Sequence, residues 1–347
     1  MGEPVPRDTD LITLPSGPSQ HPLLLGPAEM RQVLSLEAAF ESQVMAFMSL
    51  AGGEAVAPDR LTFPATEAAA LAIVNASRLA ADAGIVASLT SVIEGNPAGG
   101  LPLVVGVVAV VDPQTGLLAA LMDGATLVAL RTAAASAVAA AALAREPVHR
   151  LAVVGSGVQG RAHAMAIAKA LPIREVRVYS RRVEGRESAA ADLAAALDLD
   201  VAAAGSVEEA VRGADVVALC THSSTPVLLG DWVEAGAVVI SVGSNTPERR
   251  EVDDILLERA GRIVVDQLEG GVRQGGPIIR ALELGAVRRD QLVELGRVLV
   301  GEDPGRVDPD QVLFYNSVGV GVQDAAAAWV ALHRARELGL GRPLDLS

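Results

Sequence analysis

Short apolar runs alternate with segments of helical spacing through the second half of the chain. The apolar runs predict strands at residues 151–154, 174–179, 199–203, 215–220, 237–242 and 262–265, and the segments between them predict helices. Strands that alternate with helices are joined by right-handed crossovers and form a parallel sheet with helices on both faces. The pattern therefore predicts an α/β fold with a doubly wound parallel sheet between about residues 150 and 266.

The residues before this region have a β-rich pattern. Helical spacing over 27–34 and 36–50 is followed by strand patterns at 69–74, 84–93, 101–111 and 117–122. An alanine-rich helix is expected over 125–145, because alanine is the best helix former. After the parallel sheet, the pattern predicts a glycine-rich loop at 270–277 and helices at 278–284, 290–300 and 317–338.

Composition narrows the class of protein. A length of 347 residues favours two domains, and 50% hydrophobic with only 2% aromatic residues indicates a core of Ala, Val and Leu. The net charge of −14 repels nucleic acid and anionic membranes, so we expect neither as a partner. The apolar stretch 117–138 contains Asp123 and Arg131 and is therefore expected to be core instead of a membrane span.

Single residue types exclude some chemistry. Cys220 is the only cysteine and cannot form an internal disulfide, and residues 1–10 do not resemble a secretory signal, so a soluble cytoplasmic protein is expected. The 28 basic residues include one lysine, Lys169, expected to face solvent, which argues against a lysine Schiff base. No metal site is expected, because four of the histidines are scattered without metal-ligand spacing: His21, His149, His163 and His333.

A glycine motif follows the first strand of the predicted parallel sheet. The strand leads into the run Gly155-Ser156-Gly157-Val158-Gln159-Gly160, and helix-forming residues follow it. In such a turn the first glycine permits the tight bend, the second admits a pyrophosphate and the third lets the helix approach the strand. The helix N-terminus then faces the phosphates. We interpret this motif as a dinucleotide site, the alternative being a glycine turn made only for packing.

The tip of the second strand indicates which dinucleotide is bound. Ser180 lies about 25 residues after Gly155, close to the spacing of about 20 at which an acidic residue binds the ribose 2′-hydroxyl of NAD. Ser180 is followed by Arg181 and Arg182, and guanidinium groups suit a 2′-phosphate. NADP(H) is therefore expected in preference to NAD(H). The alternative is that both arginines belong to a solvated loop.

Several motifs in order along the chain resemble the ornithine cyclodeaminase/mu-crystallin family. The segment from Leu130-Arg131-Thr132 to Ser136 precedes the glycine motif by about twenty residues. Further matching segments are Gly95-Asn96-Pro97, Gly100-Leu101-Pro102, Asp112–Gly116, Gly213-Ala214-Asp215, Pro226-Val227-Leu228, Val242-Gly243 and Ser317-Val318-Gly319. They extend over roughly residues 25–335, and the ordered set is more specific than any single motif.

The resemblance implies the domain organisation and the reaction class. It implies a Rossmann-type NAD(P)-binding domain at 126–313, inserted in an α+β substrate-binding and dimerisation domain formed by 1–125 and 314–347. Members of the family are typically homodimers. They transfer hydride between a nicotinamide and the α-carbon of a small amino or imino carboxylic acid.

The resemblance also implies roles for individual residues. It places Arg131 and Thr132 at the cofactor phosphates and the substrate, and Arg60 at the substrate carboxylate, the alternative for Arg60 being a surface charge. Residues implied in cofactor binding, besides the glycine motif, are Thr221, Val242 and Ser317. His222 follows the fourth strand at the edge where ligands bind in open α/β sheets, which makes it a candidate proton donor or a structural histidine.

Three positions depart from the family pattern. Counting from the motifs, Ser88 occupies the place of a substrate-site lysine, Asn245 that of a catalytic aspartate, and Leu103 that of a polar residue. An amide cannot accept a proton at neutral pH, so Asn245 cannot act as a general base. This argues against cyclodeamination and favours NADP-dependent reduction of a C=N bond by a ketimine or imine reductase. The alternatives are a nucleotide-binding protein without turnover, or an amino acid dehydrogenase or cyclodeaminase with substituted residues.

Overall fold

The computed structural model describes residues 21–64 and 70–345. Its strands are β1 (Leu23–Leu25), β2 (Leu61–Pro64), β3 (Ala70–Ser77), β4 (Val86–Ile93), β5 (Val104–Val111), β6 (Leu118–Asp123), β7 (Arg150–Val154), β8 (Glu175–Tyr179), β9 (Asp200–Ala203), β10 (Val216–Leu219), β11 (Val238–Ser241), β12 (Ala260–Val265), β13 (Val293–Glu294), β14 (Val312–Asn316) and β15 (Arg342–Pro343). Residue 69, the expected first residue of a strand, lies outside the described residues.

The helices cover most of the segments in which helical spacing was predicted. They are α1 (Pro27–Val33), α2 (Leu36–Ala51), α3 (Gly124–Leu143), α4 (Val158–Ala170), α5 (Val183–Leu197), α6 (Val207–Val211), α7 (Asp254–Arg259), α8 (Leu268–Gln274), α9 (Gly276–Leu284), α10 (Leu295–Leu299) and α11 (Gly321–Leu338).

The chain forms two compact units. The first contains the described parts of Met1–Ser42, Gly52–Val128 and Gly321–Ser347, and the second contains Gln43–Ala51 and Ala129–Val320.

A parallel sheet of eight strands forms the centre of the second unit. Its order is β13-β12-β14-β11-β10-β7-β8-β9, and every neighbouring pair is parallel. The chain runs outward from β7 to β9 and then returns to place β10 on the other side of β7. Ligands of open α/β sheets bind at such a switch point, at the carboxyl ends of the strands. The predicted Rossmann-type α/β fold and all six predicted strands are confirmed.

The sequence-based interpretation was wrong in three segments of this unit. Strand β14, between β11 and β12, was not predicted although its residues are all buried. The expected glycine loop at 270–277 is occupied by helices α8 and α9, and the expected helix at 290–300 contains β13 before α10. Gly271 explains why a helix forms where the glycine loop was expected. A Cβ there would lie 2.9 Å from Cγ1 of Val265, so the glycine lets α8 pack closely on β12.

The first unit is built on a seven-stranded sheet of order β15-β1-β6-β5-β4-β3-β2, antiparallel except between β1 and β6. Helix α11 packs on one face, against β3, β4 and β5. Gly321 begins this helix, and a Cβ there would overlap Oγ of Ser77. On the opposite face Leu61, Phe63 and Leu89 are 60%, 54% and 47% exposed. Within the described residues, this face of β2 and β4 therefore presents exposed apolar side chains.

Helix α3 is mostly apolar, although it carries Arg131. By length and composition it could cross a membrane, and α1 with α2 would also qualify as one pair bent by 76°. Within the described residues, however, 67% of the apolar α3 window is buried inside the protein. This agrees with the expectation for residues 124–138, whereas Leu117, at the start of the expected core stretch 117–138, is 63% exposed.

A buried histidine connects α3 with the start of α4. His163 is fully buried, with Nδ1 2.7 Å from the carbonyl oxygen of Gln159 and Nε2 2.9 Å from Oγ of Ser136. A carbonyl oxygen only accepts, so Nδ1 must donate, and Nε2 of the neutral ring then accepts from the serine hydroxyl. Burial lowers the pKa of His163 to about 4.

We predict that His163 makes folding stability depend on pH between about 4 and 6.5. Because its pKa falls from 6.5 in the unfolded chain to about 4 in the folded protein, the unfolded state binds the additional proton in this range. The contribution of His163 to the free energy of unfolding should be fully present above pH 6.5. It should decline by up to about 3 kcal/mol as the pH falls to 4.

Urea unfolding at several pH values should therefore show that the free energy of unfolding depends less steeply on pH in His163→Gln than in the wild type. The exposed His21 provides the control His21→Gln, which should keep the wild-type slope. Parallel slopes for His163→Gln and the wild type would contradict the assignment.

Candidate functional site

The turn between β7 and α4 has two glycines required by packing and one that faces open space. Gly155 has a φ of +125°, and a Cβ there would overlap the carbonyl oxygen of Cys220. A Cβ on Gly160 would overlap the carbonyl oxygen of Gly155. A Cβ on Gly157 would meet no atom within 4 Å. This is the arrangement expected when a ligand's phosphates pass beside the second glycine.

The amino end of α4 is open to a ligand. Gly157 caps the helix without a side-chain hydrogen bond, and Val158 next to it is 71% exposed. Oε1 of Gln159 and Oγ1 of Thr132 are buried and have no hydrogen-bond partner in the described part of the chain. Buried polar atoms are nearly always hydrogen-bonded in native proteins. The open turn and the unpartnered Oε1 of Gln159 therefore fit a bound dinucleotide.

The tip of β8 presents hydroxyl and guanidinium groups beside this turn. Oγ of Ser156 donates to Oγ of Ser180 over 2.8 Å. Arg186 lies 5.3 Å from the Tyr179 ring centre and donates to the carbonyl oxygen of Ser180. Arg181 and Arg182, by contrast, are exposed, and among the described residues neither guanidinium has a hydrogen bond or ion pair.

The loops after β10 and β11 lie side by side, because Leu219 pairs with Ser241. The first loop carries Thr221 and the exposed His222, and the second carries Val242 and the half-buried Asn245. The sequence placed these residues at one edge of the sheet, and the structure brings the two loops together there. A buried carboxylate, Glu251, connects them by hydrogen bonds to both.

A second buried carboxylate, Asp266, holds the loop after β14. Its oxygens accept hydrogen bonds from the hydroxyls of Tyr315 and Ser317 and from the backbone N–H groups of Val318 and Gly319. These bonds keep residues 317–319 out of the helix that was expected to begin at Ser317. Burial raises the pKa of Asp266 and, together with the aspartate charge, that of Tyr315.

Arg131 lies next to this loop. It is buried on α3, and a Cβ on Gly319, whose φ is +78°, would lie 3.3 Å from both terminal guanidinium nitrogens. The positive charge of Arg131 opposes the effect of burial on the pKa of Asp266. A planar guanidinium is thus held against the backbone of residues 317–319.

In the first unit, Arg60 and Ser88 lie on the two sides of Asn75. Leu61, the residue after Arg60, pairs with Val74, and Asn75 pairs with Ser88. Ser88 is 2% exposed, and its hydroxyl donates to Oδ2 of Asp324 on α11 over 2.9 Å. The position that the sequence assigned to a substrate-site lysine therefore faces the first turn of α11.

Leu103 is not brought near Ser88. Its carbonyl oxygen accepts from the N–H of Ile93, five residues along β4 from Ser88, which corresponds to about 16 Å along a strand. Ser88 and Leu103 therefore lie at different ends of the sheet. Their roles, like those of Arg60, His222 and Asn245, stay predictions.

Residues 22–339 match the ornithine cyclodeaminase/mu-crystallin family. The chain belongs to this family. Ketimine reductase mu-crystallin of Mus musculus is 33% identical over 276 residues, which cover 80% of this chain and 84% of that protein. The similar solved structures include two reductases. The Δ1-pyrroline-2-carboxylate reductase of Thermococcus litoralis, in complex with NADH and L-proline, has a TM-score of 0.89 and 28% identity, covering 93% and 100% of the two chains. The iminosuccinate reductase of Paracoccus denitrificans, in complex with NAD⁺, has a TM-score of 0.87 and 30% identity, covering 94% and 100%.

Family membership agrees with the resemblance identified in the sequence, but several polar residues of the site were not predicted. Glu251, Asp266, Asp324 and Arg186 were not singled out as candidates. Asp266 had a usable signal, because a polar residue that directly follows an apolar parallel strand lies at the ligand-binding edge. Glu251 follows no strand, and only the folded chain shows which loops it contacts.

We predict that alanine impairs cofactor binding at one glycine of the motif and folding stability at another. Gly157→Ala should leave the free energy of unfolding within about 0.5 kcal/mol of the wild type, because the position is extended and open. It should weaken binding of nicotinamide dinucleotides by about tenfold or more, because the methyl group would occupy the expected path of the phosphates. Gly160→Ala should instead destabilise the fold by about 1–3 kcal/mol through overlap with Gly155.

Urea unfolding and fluorescence titration with NADPH and NADH measure the two effects separately. Unchanged affinity in Gly157→Ala would show that the open side of the turn does not face the cofactor.

Proposed function

We propose that this protein is an NADP-dependent oxidoreductase that reduces the C=N bond of a small imino carboxylic acid, or catalyses the reverse reaction. The observation that carries the proposal is that the two buried carboxylates at the carboxyl edge of the sheet are already occupied by hydrogen bonds. Glu251 and Asp266 are both engaged by backbone N–H and hydroxyl donors, and the family's aspartate position holds Asn245. Reduction of a protonated imine needs no general base to activate an amine.

The relatives support the same reaction class. The names of the mouse, Thermococcus and Paracoccus proteins describe reductases of a ketimine, of pyrroline-2-carboxylate and of iminosuccinate, all of which contain a C=N bond. We therefore propose an imino carboxylic acid as the substrate class of this chain, without assigning one compound.

The residues of the chain would bind and orient the reactants. A bound nicotinamide supplies or accepts the hydride. Arg131 would bind the substrate carboxylate through the planar, two-pronged contact that guanidinium groups make with carboxylates. Asp266 would hold Arg131 and residues 317–319 in place. We keep Arg60 of the first unit as a proposed carboxylate ligand and His222 as the proposed donor when the imine arrives unprotonated.

NADP(H) is the cofactor that the tip of β8 favours. A carboxylate there would bind the ribose 2′-hydroxyl of NAD(H) and repel a 2′-phosphate, whereas Ser180, Arg181 and Arg182 offer a hydroxyl and two cations. Neither guanidinium is neutralised by a carboxylate among the described residues. Both are therefore available to a phosphate.

We also propose that the protein is a homodimer that pairs through the open face of the first unit's sheet. Leu61, Phe63, Leu89 and Val105 are exposed there on neighbouring strands. Contiguous apolar patches of this kind are uncommon on monomers and typical of contact surfaces.

The reaction is tested by following NADPH oxidation with five- and six-membered cyclic imino carboxylates and with mixtures of 2-oxo acids and methylamine. We expect turnover with at least one of these compounds and formation of the corresponding amino acid. No ammonia should be released from L-ornithine, because Asn245 cannot act as the base. Tight NADPH binding without turnover would favour a binding protein, and ammonia release from ornithine would favour a cyclodeaminase.

The cofactor preference is tested with Arg181→Ala, Arg182→Ala and the double variant. Each lost charge-assisted hydrogen bond contributes about 1.5–3 kcal/mol, so each single variant should bind NADPH about 10–100-fold more weakly and bind NADH unchanged. Arg174→Ala, an exposed arginine at the opposite end of β8, is the matched control and should bind both cofactors like the wild type. An equal loss for NADPH and NADH would refute the assignment to the 2′-phosphate.

A further inference from the structure

Glu251 has the position of a brace between two loops of the proposed nicotinamide site. It lies between β11 and α7, and its side chain is fully buried. Oε1 accepts hydrogen bonds from both the backbone N–H and the hydroxyl of Thr221, each over 2.7 Å. Oε2 accepts from the hydroxyl of Ser241 over 2.7 Å and from the N–H of Gly243 over 2.9 Å. Each carboxylate oxygen therefore holds one loop.

The bonds to Glu251 extend into the loops themselves. The hydroxyl of Thr221 also accepts from the N–H of Ser223, so the bond to Oε1 orders the chain on both sides of His222. The N–H of Glu251 donates to Oγ of Ser244, the residue before Asn245. His222 is thus next to Thr221, and Asn245 is next to Ser244, and Glu251 holds both Thr221 and Ser244.

The two loops also touch each other directly. A Cβ on Gly243 would overlap the carbonyl oxygen of Thr221 and lie 2.7 Å from Oε1 of Glu251. Glycine at this position lets the backbone after β11 pass against the backbone after β10. A shift of one loop is therefore transmitted to the other.

Only a carboxylate satisfies all of these donors. Thr221 and Gly243 present backbone N–H groups from opposite sides, and an N–H group cannot reverse its polarity. A glutamine side chain would direct its NH₂ group at one of them, so one loop would lose its acceptor. Burial raises the pKa of Glu251, and the hydrogen bonds from Thr221, Ser241 and Gly243 counteract this effect. No guanidinium or ammonium group is among its partners in the described residues.

We propose that Glu251 is a positioning residue for the nicotinamide half of the cofactor. It does not contact the cofactor itself, because it is fully buried, but it fixes the loops that carry Thr221 and His222 and that carry Val242 and Asn245. The inference rests on the proposed function. The proposed site of the adenosine half lies at the tips of β7 and β8, and none of the hydrogen bonds that the described residues make to Glu251 comes from there. Loss of the carboxylate should therefore affect the two halves of the cofactor differently.

Asp215 offers a matched control at the opposite end of the same sheet. One of its carboxylate oxygens accepts from the backbone N–H groups of His149 and Arg150, over 2.8 and 3.0 Å, where β7 begins. Asp215→Asn thus weakens backbone contacts of a similar kind at the amino ends of the strands, away from the proposed site. It should lower stability without changing the relative affinities for cofactor fragments.

The test is calorimetric titration of the wild type, Glu251→Gln and Asp215→Asn with NADPH and with 2′,5′-ADP, which lacks the nicotinamide half. Glu251→Gln should bind 2′,5′-ADP within twofold of the wild type and NADPH about 10–100-fold more weakly. With an imine substrate, its KM for NADPH should rise and its kcat should fall. Asp215→Asn should keep the wild-type ratio of the two affinities. If Glu251→Gln does not fold, Thr221→Val and Ser241→Ala each remove one hydroxyl donor and should show the same pattern more weakly.

Equal weakening of NADPH and 2′,5′-ADP, or unchanged binding of both, would overturn the positioning role. The wild type reports separately on the proposed function, through its binding of NADPH and its turnover of imines. If the wild type prefers NADH, ADP-ribose and NADH replace the two ligands, and the same comparison between the halves decides the role of Glu251.

Discussion

Hydrogen bonds from backbone N–H groups to buried carboxylates organise the carboxyl edge of the parallel sheet. Removing a carboxylate from water is costly unless its oxygens are fully hydrogen-bonded. Glu251 meets this condition through the loops after β10 and β11, and Asp266 meets it through the loop after β14. Each acid is stable in its position only while its loop is ordered. The loops that face the proposed nicotinamide site are therefore tied to the folding of the sheet itself.

The composition of the core is consistent with this arrangement. Aromatic residues make up only 2% of the chain, and the buried residues of α3 include the alanines at positions 133–135, 137, 139 and 140. The glycines at 160, 271 and 321 remove the remaining side chain where a helix meets a strand or a neighbouring turn. Close packing also brings α3 against α4, where Ser136 and His163 make a buried hydrogen bond. This hydrogen bond also stabilises α4, the helix that follows the glycine turn.

Local patterns predicted the parts of the molecule that depend on local physics. The strand, the glycine turn and the helix of the dinucleotide motif follow one another in sequence, and Ser180, Arg181 and Arg182 follow from the spacing to the next strand. The errors arose where distant packing decides the structure. Residues 270–277 contain glycines that usually indicate a loop, but packing on β12 makes them helical. Glu251 lies 30 residues from Thr221, and Asp266 lies 52 residues from Val318, so no local pattern could reveal these contacts.

The distribution of arginines bears on how an acidic protein would bind the proposed anionic reactants. A net charge of −14 repels both a dinucleotide phosphate and an imino carboxylate at long range. Many described arginines are also neutralised by nearby carboxylates, as Arg177 is by Glu175 and Arg280 by Asp254. Among the described residues no carboxylate pairs with Arg181 or Arg182, and Arg131 lies against backbone that Asp266 has ordered. In the proposed function, attraction for the reactants would therefore act at short range, where the geometry of a guanidinium group suits a 2′-phosphate or a carboxylate.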